Sequence, residues 1–204
     1  MTAVLKALAL LLAIGMVVTI AVFIWIGSRG ISARAEPGLV ERTVARTMRS
    51  LAVPRGDRDR PNPVAATPQV VAAGMAHFAD HCAACHANDG SGETAIGLGL
   101  YPRPPDMRQE ATQSLTDGEL FYIVENGVRL TGMPAFGTGT AEDAEQTWHL
   151  VRFIRELPRL TPEQIEEMQA MNPRPPAEIR QEMEERRFLE GGEPPSTPAA
   201  PHVH

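Results

Sequence analysis

The sequence predicts an all-α protein with one N-terminal transmembrane helix, and three observations support this. Ala7 to Ile26 contains no charged residue, and about twenty apolar residues span a bilayer as a helix. Several later segments combine a helix cap with apolar residues at helical spacing, as in Ala141 to Leu157. No stretch of useful length alternates apolar and polar residues as a half-buried strand would.

The N-terminal run has a second interpretation as a cleaved signal peptide. Ala33-Arg34-Ala35 resembles an A-x-A cleavage site, but signal cores contain roughly 7–15 apolar residues. The longer run and the distant site favour an uncleaved anchor. One Lys precedes the span and several Arg follow it closely, so the positive-inside rule alone would place the rest of the chain in the cytoplasm.

The remaining chain divides into segments of different composition. Val40, Val44, Met48 and Leu51 fall at helical spacing, which predicts a short basic amphipathic helix lying on a membrane or on its own domain. The four prolines between Pro54 and Pro68 predict a linker that acts as a flexible tether. The predicted organisation is an anchor, a basic amphipathic segment with its linker, a helical domain, an acidic helical extension and a disordered Pro/Ala-rich tail, at residues 1–27, 28–66, 67–160, 161–190 and 191–204.

Helix starts within the domain and its extension are marked by capping residues. Thr67-Pro68 predicts a helix that runs to about His81, because Thr caps helices and Pro suits their first position. Thr116 and Thr161 begin two further predicted helices, each with Glu or Gln three residues later.

The charge distribution excludes one class of partner. The formal net charge is −6, and Pro68 to Leu160 contains twelve acidic residues against six Arg. Nucleic-acid binding requires basic patches, so nucleic acid is not an expected partner. Gly27 to Thr67 instead contains eight Arg against four acidic residues, which suits an anionic membrane surface.

The two cysteines form a C-x-x-C-H motif, Cys82-Ala83-Ala84-Cys85-His86, which is typical of covalent haem attachment. Two thiols one helical turn apart reach the two vinyl groups of one haem, and His86 then ligates its iron. A thioredoxin-like C-x-x-C needs a βαβ setting, and a zinc site needs about four ligands. The sequence offers neither, so haem c is the expected cofactor.

A haem iron bound by His86 has either a sixth ligand or an open site, and the loops that follow the motif contain candidate ligands. Met133 lies between Gly132 and Pro134, which fix the loop, and a methionine sulfur opposite histidine raises the reduction potential. Met107 is the alternative ligand. The simpler interpretation of Met133 is a side chain that fills a gap in the core. At the end of the chain, His202 and His204 form a possible site for a borderline metal such as copper, or are simply solvated.

Together these pieces resemble a class I c-type cytochrome, especially the single-haem domains of cbb3-type oxidase subunits. The resemblance covers slightly under half of the chain. The matching pieces are Gly74 to Phe78, the C-x-x-C-H motif, Arg103 to Asp106, Leu115 to Asn126, Gly132 to Phe136 and Trp148 to Ile154.

The resemblance implies a class I cytochrome c fold, with three to five helices around one covalently bound haem. It also implies that Gly74 lets the first helix cross the last closely, with Phe78 packed on Leu150 or Phe153. Trp148 would cover a haem edge, and a backbone carbonyl near Pro102 to Pro105 would accept a hydrogen bond from His86. Haem propionates would pair with Arg103 and Arg129.

Three functions are expected on this basis. The first is a membrane-anchored monohaem cytochrome that transfers single electrons among redox proteins, with its haem domain on the periplasmic side of a bacterial cytoplasmic membrane, as the resemblance implies. The second is a haem-c subunit of a larger oxidase or reductase, or a haem sensor with an open distal site. The third is a metal-handling protein that uses the C-terminal histidines.

Overall fold

The computed structural model describes residues 2–29, 32–33, 35–174 and 176–191, and every regular element within these ranges is helical. This confirms the predicted all-α class. The α-helices are α1 Thr2–Arg29, α2 Leu39–Ala52, α3 Arg55–Arg58, α4 Pro68–His77, α5 Ala83–His86, α6 Glu110–Gln113, α7 Asp117–Asn126, α8 Ala141–Glu156, α9 Pro162–Met171 and α10 Pro176–Leu189. A π-helical turn, Phe78–Cys82, joins α4 to α5, and short 3-10 turns lie at Gly97–Gly99 and Leu157–Arg159.

Threonine caps begin the helices where the sequence predicts them. The Thr67 hydroxyl accepts a hydrogen bond from the Val70 N–H at the start of α4. At the start of α7, Thr116 and Glu119 form a reciprocal capping box, and Thr161 with Gln164 forms another at the start of α9. These caps satisfy N–H groups that a helix start otherwise leaves unpaired.

The core of the domain is built on the crossing of α4 and α8. A Cβ atom placed on Gly74 would lie 2.3 Å from the His149 carbonyl oxygen, so only glycine permits this approach. The Phe78 and Phe153 rings pack beside the crossing with their centroids 5.3 Å apart. The close crossing at Gly74 and the Phe78–Phe153 contact, both implied by the resemblance, are thereby confirmed.

Residues 53–66, which we call the strap, lie against the helical domain. Val53 is buried, and the Arg58 guanidinium pairs with the Glu119 carboxylate at 3.2 Å. Arg152 on α8 donates a hydrogen bond of 2.8 Å to the Val64 carbonyl, and Asn62 donates one of 3.0 Å to the Trp148 carbonyl. The expectation of a flexible tether is therefore wrong for this segment.

The helix α9 also packs on the domain, although the sequence assigns it to a separate extension. Met168 on α9 is completely buried and belongs to the same apolar cluster as Phe78 and Ala79. Met168 is the one residue of α9 that is buried, and a single buried residue in an acidic helix gives a weak sequence signal, so the acidic composition dominated the prediction.

The helices α1 and α2 expose their apolar residues. The most apolar 18-residue stretch of α1 has a mean hydropathy of 2.9, and none of its side chains is buried. By length and composition α1 is the one helix in the described residues that is able to cross a membrane, a test that an N-terminal signal sequence also passes. The described part of the chain ends at residue 191, so most of the predicted tail lies outside it.

Candidate functional site

The C-x-x-C-H motif lies at the end of the helical segment that begins at Thr67. The backbone widens into the π-helical turn Phe78–Cys82 and returns to α-helix at Ala83–His86. Single π-turns within helices are rare and occur often at functional sites. Both cysteines are free thiols and are partly buried. Their spacing of three residues places them on the same side of the helix.

The chemistry of the Cys82 thiol argues against a disulfide oxidoreductase. Burial raises the pKa of Cys82 to about 12, and the nearby Cys85 thiol adds to this effect. The attacking cysteine of a redox C-x-x-C instead has a lowered pKa, because only the thiolate is nucleophilic. A raised pKa at Cys82 is the opposite of what a thioredoxin-like motif needs at its attacking cysteine.

The imidazole of His86 is suited to ligate a metal. Burial lowers the pKa of His86, so the neutral form that binds metals is favoured. Its Nδ1 atom is buried and has no hydrogen-bond partner among the described residues. The expected carbonyl acceptor between Pro102 and Pro105 is therefore not found. Buried polar atoms normally have a partner, so this nitrogen needs an explanation.

A chain of contacts connects the motif to the loop that carries Met133. The Thr94 hydroxyl donates to the Ala84 carbonyl at 2.8 Å and accepts from the Gly97 N–H at 2.8 Å, which holds the Gly97–Gly99 turn on α5. The next residue, Leu100, touches Gly132, where a Cβ atom would lie 2.6 Å from Leu100 Cδ2. The structure thus brings the two separated loops together.

The Met133 loop has a fixed backbone. The Val128 N–H donates to the Met133 carbonyl at 3.1 Å, and the Met133 N–H donates to the Thr131 hydroxyl at 3.1 Å. Gly127 has a φ of +64°, and a Cβ atom there would lie 2.6 Å from the Ala135 nitrogen. The Met133 side chain is partly buried against the core.

Met107, the alternative ligand, lies in a loop that is fixed differently. Its N–H donates to the Gly90 carbonyl at 2.8 Å, and its side chain is also partly buried against the core. Beside it, Arg108 bonds Asp106 at 2.8 Å and Asp89 at 2.8 Å. Arg108 thereby ties this loop to the segment that follows the motif. The sequence did not indicate this role of Arg108, because one of its two partners, Asp89, lies nineteen residues away.

The Trp148 side chain is 2% exposed and stacks on the Phe121 ring at a centroid distance of 4.0 Å. The guanidinium of Arg60, from the strap, lies 4.8 Å from the Phe121 centroid and 5.2 Å from that of Trp148. Such cation–π contacts are favourable when the cation lies within about 6 Å of the ring. The internal position expected for Trp148 is confirmed, but no sequence pattern indicated that Arg60 would contact it.

The remaining candidates are peripheral. Arg103 and Arg129 are exposed and form no ion pair with another described residue. His202 and His204 lie outside the described residues. Within those ranges, no group of three or more His, Cys, Asp or Glu side chains is arranged to hold a metal ion.

Comparison with known proteins identifies the domain. The family described as cytochrome c oxidase, cbb3-type, subunit III matches residues 69–154, somewhat under half of the chain. No curated protein matches the chain. The matched span contains the motif, both methionine loops and the crossing helices. Residues 69–154 therefore form a class I c-type cytochrome domain like those of cbb3-type oxidase subunits, and this family implies haem c and electron transfer.

Proposed function

We propose that this protein is a membrane-anchored, single-haem c-type cytochrome that transfers one electron at a time on the periplasmic side of a bacterial cytoplasmic membrane. The observation that carries the proposal is the C-x-x-C-H motif at the junction of the π-helical turn and α5, inside a cytochrome domain. Its two thiols are free, and the buried Nδ1 atom of His86 has no hydrogen-bond partner among the described residues. The chain has two cysteines in total, which is enough for one haem.

The residues of the motif fit haem c. Cys82 and Cys85 are free to form two thioethers, and the neutral His86 imidazole has the protonation state of an iron ligand. When bound, haem c supplies reversible exchange of one electron between Fe(III) and Fe(II). The buried rings of Phe78 and Phe153 exclude water from the side of the helix that faces the core. The Phe78 ring centroid lies 6.4 Å from that of the His86 ring and 5.3 Å from that of Phe153.

Met133 is the proposed sixth ligand, and Met107 is the alternative. The Met133 loop touches Leu100, which follows a turn held on α5, so this turn connects the loop to the motif helix. Its own internal hydrogen bonds fix the backbone on both sides of the side chain. A thioether opposite histidine favours reduced iron and raises the potential.

Exposed arginines and a buried tryptophan complete the proposed haem environment. Arg103 and Arg129 have no ion pair among the described residues, so both guanidinium groups are available to the haem propionates. Trp148 would shield a haem edge from water with its large apolar surface. These roles rest on the resemblance together with the exposure of the arginines and the burial of the tryptophan.

The helix α1 supports the membrane anchor. It is apolar on all sides and long enough to span a bilayer. The arginines that follow α1 oppose a periplasmic location, but long domains translocate largely regardless of charge. The match to an oxidase subunit favours a second candidate, in which the same domain serves as a haem-c subunit of a larger oxidase or reductase.

The spectrum of two single variants tests the proposed iron ligation. Met133→Ala should lower the reduction potential and abolish the weak far-red band of Met-ligated Fe(III), because the sulfur is removed. Met107→Ala is the matched control, since it truncates the same residue type in an equally buried loop. One covalently bound haem per chain is expected in the parent. The reverse pattern would assign the ligand to Met107, and no change in either variant would favour a sensor with an open site.

A further inference from the structure

The helix α2 carries an apolar stripe that no part of the described chain covers. Val40, Val44, Met48 and Leu51 are 77%, 50%, 62% and 78% exposed. At 100° per residue these four positions fall within roughly 80° of the helix circumference. A soluble helix normally buries such a stripe against its own domain, so the exposure of all four residues calls for an external partner.

The opposite side of α2 is basic. The helical period places the mean direction of Arg42, Arg46 and Arg49 about 170° from the centre of the apolar stripe. The helix contains a single acidic residue, Glu41, and it follows two further arginines, Arg29 and Arg34. A narrow apolar stripe opposed by arginines is typical of helices that lie in the plane of a bilayer surface. The positive charge complements anionic lipid headgroups.

The position of α2 in the chain brings it to such a surface. Only residues 30–38 separate it from α1. At its other end, α2 leads directly into the buried Val53 and the strap, which is bonded to the domain. The Tyr101 hydroxyl also donates a hydrogen bond to the Glu41 carboxylate. Thus α2 is linked to the apolar α1 on one side and to the cytochrome domain on the other.

We propose that α2 lies in the interface of the bilayer that α1 crosses, with its apolar stripe among the acyl chains and its arginines beside anionic headgroups. This inference rests on the proposed membrane anchor. It follows that the cytochrome domain is held at the bilayer surface by α2 and the strap. A domain held in this way presents a constant face to a redox partner embedded in the same membrane.

Site-directed spin labelling of the full haem-loaded chain tests this proposal. A cysteine is introduced by Val44→Cys or Met48→Cys on the apolar stripe, and by Arg42→Cys on the opposite side as a control. Ile14→Cys reports on α1. Each labelled protein is placed in vesicles of phosphatidylcholine with or without phosphatidylglycerol. The collision rates of the label with oxygen, which enters bilayers, and with a water-soluble nickel chelate are then compared. The haem spectrum of each variant verifies folding.

Labels at positions 44 and 48 should show a severalfold higher oxygen-to-chelate ratio than the label at 42, and phosphatidylglycerol should increase the difference. Equal ratios at 42, 44 and 48 with a high ratio at 14 would overturn the interfacial position and leave the anchor intact. Shielding of 44 and 48 from both reagents would also overturn it and indicate a protein partner or second copy. Chelate access at position 14 would overturn the anchor itself.

Discussion

The cytochrome domain and the N-terminal helices use similar apolar residues in opposite ways. In the domain, Leu150, Val151 and Phe153 on α8 are at most 1% exposed, whereas Leu11, Leu12 and Phe23 on α1 are 67–72% exposed. What distinguishes the helices is the pattern. The apolar residues of α8 form one stripe beside charged positions, those of α1 surround the helix, and α2 has a stripe without a protein surface opposite it. A helix that is apolar on all sides is suited to the lipid interior of a bilayer. A helix with one apolar face is suited to an interface between an apolar region and a polar one.

The strap is the boundary between these two regions. A flexible chain from Gly27 to Thr67 would span roughly 35 Å between its ends. Because residues 53–66 are bonded to α7 and α8, that freedom is confined to the chain before Val53, most of which is α2. With the proposed anchor, only residues 30–52 would separate α1 from the strap, which is a much shorter connection than a flexible tether of the full 41 residues.

The largest expected effect comes from removing the N-terminal region. A chain that starts at Glu36 behind a cleavable signal should lose salt-resistant membrane binding, since about twenty apolar residues hold α1 in hydrocarbon and salt does not weaken their burial. The full chain should stay with membranes in high salt, and the shorter chain should be released while keeping its haem spectrum. Sedimentation in low and high salt measures the difference. A mature natural protein that begins at Glu36 would contradict the anchor.

The second-largest effect is expected when the domain can no longer bind its cofactor covalently. Cys82→Ala combined with Cys85→Ala should abolish covalent haem and with it the cooperative thermal transition, because a domain of this size has a modest core of its own. Haem staining on denaturing gels and calorimetry measure the two losses. Ala84→Ser is the matched control, since it changes an exposed position between the same two thiols. A double variant that unfolds like the parent would show that haem does not organise the domain.

A smaller effect is expected where the strap joins the domain. Arg152→Met should reduce the free energy of unfolding by about 2 kcal/mol, because the Val64 and Asn62 carbonyls lose a charged donor. Proteolysis within residues 53–66 should become faster. Arg159→Met is the control, because Arg159 is 69% exposed and, among the described residues, pairs only with the nearby Glu156 and the Arg155 carbonyl. Equal stability of the two variants would mean that the strap is only loosely held.

Local signals predicted the helices well, whereas contacts across long distances in the sequence were not predictable. The caps at Thr67, Thr116 and Thr161 are visible because each lies within four residues of its partner. The C-x-x-C-H motif is equally local. Arg152 bonds Val64 across 88 residues, and no local pattern marks either one. The prolines of the strap predicted a linker without helix, but the short helix α3 forms within it. Nor do prolines reveal whether a segment lies on a surface or extends into solvent.

The smallest predicted effect concerns the loop of Met107. The Arg108 side chain holds the pKa of Asp106 at about 2, below its ordinary value of 3.8. A lowered folded-state pKa stabilises the fold above the ordinary value, and the contribution is lost as the pH falls through about 2. Because the Asp106 side chain is 28% exposed and solvent screens the pair, we expect it to contribute about 1 kcal/mol.

Asp106→Asn should therefore lower the free energy of unfolding at pH 7, and the difference from the parent should shrink as the pH falls from 4 towards 2. Denaturant midpoints across this range measure the effect, and added salt should reduce it because the pair is partly exposed. Asp59→Asn is the control, since it removes the same charge from an exposed position on the strap. The far-red band should persist in both variants, because the Met133 loop does not depend on Arg108. Loss of that band in Asp106→Asn alone would move the iron ligand to the neighbouring Met107.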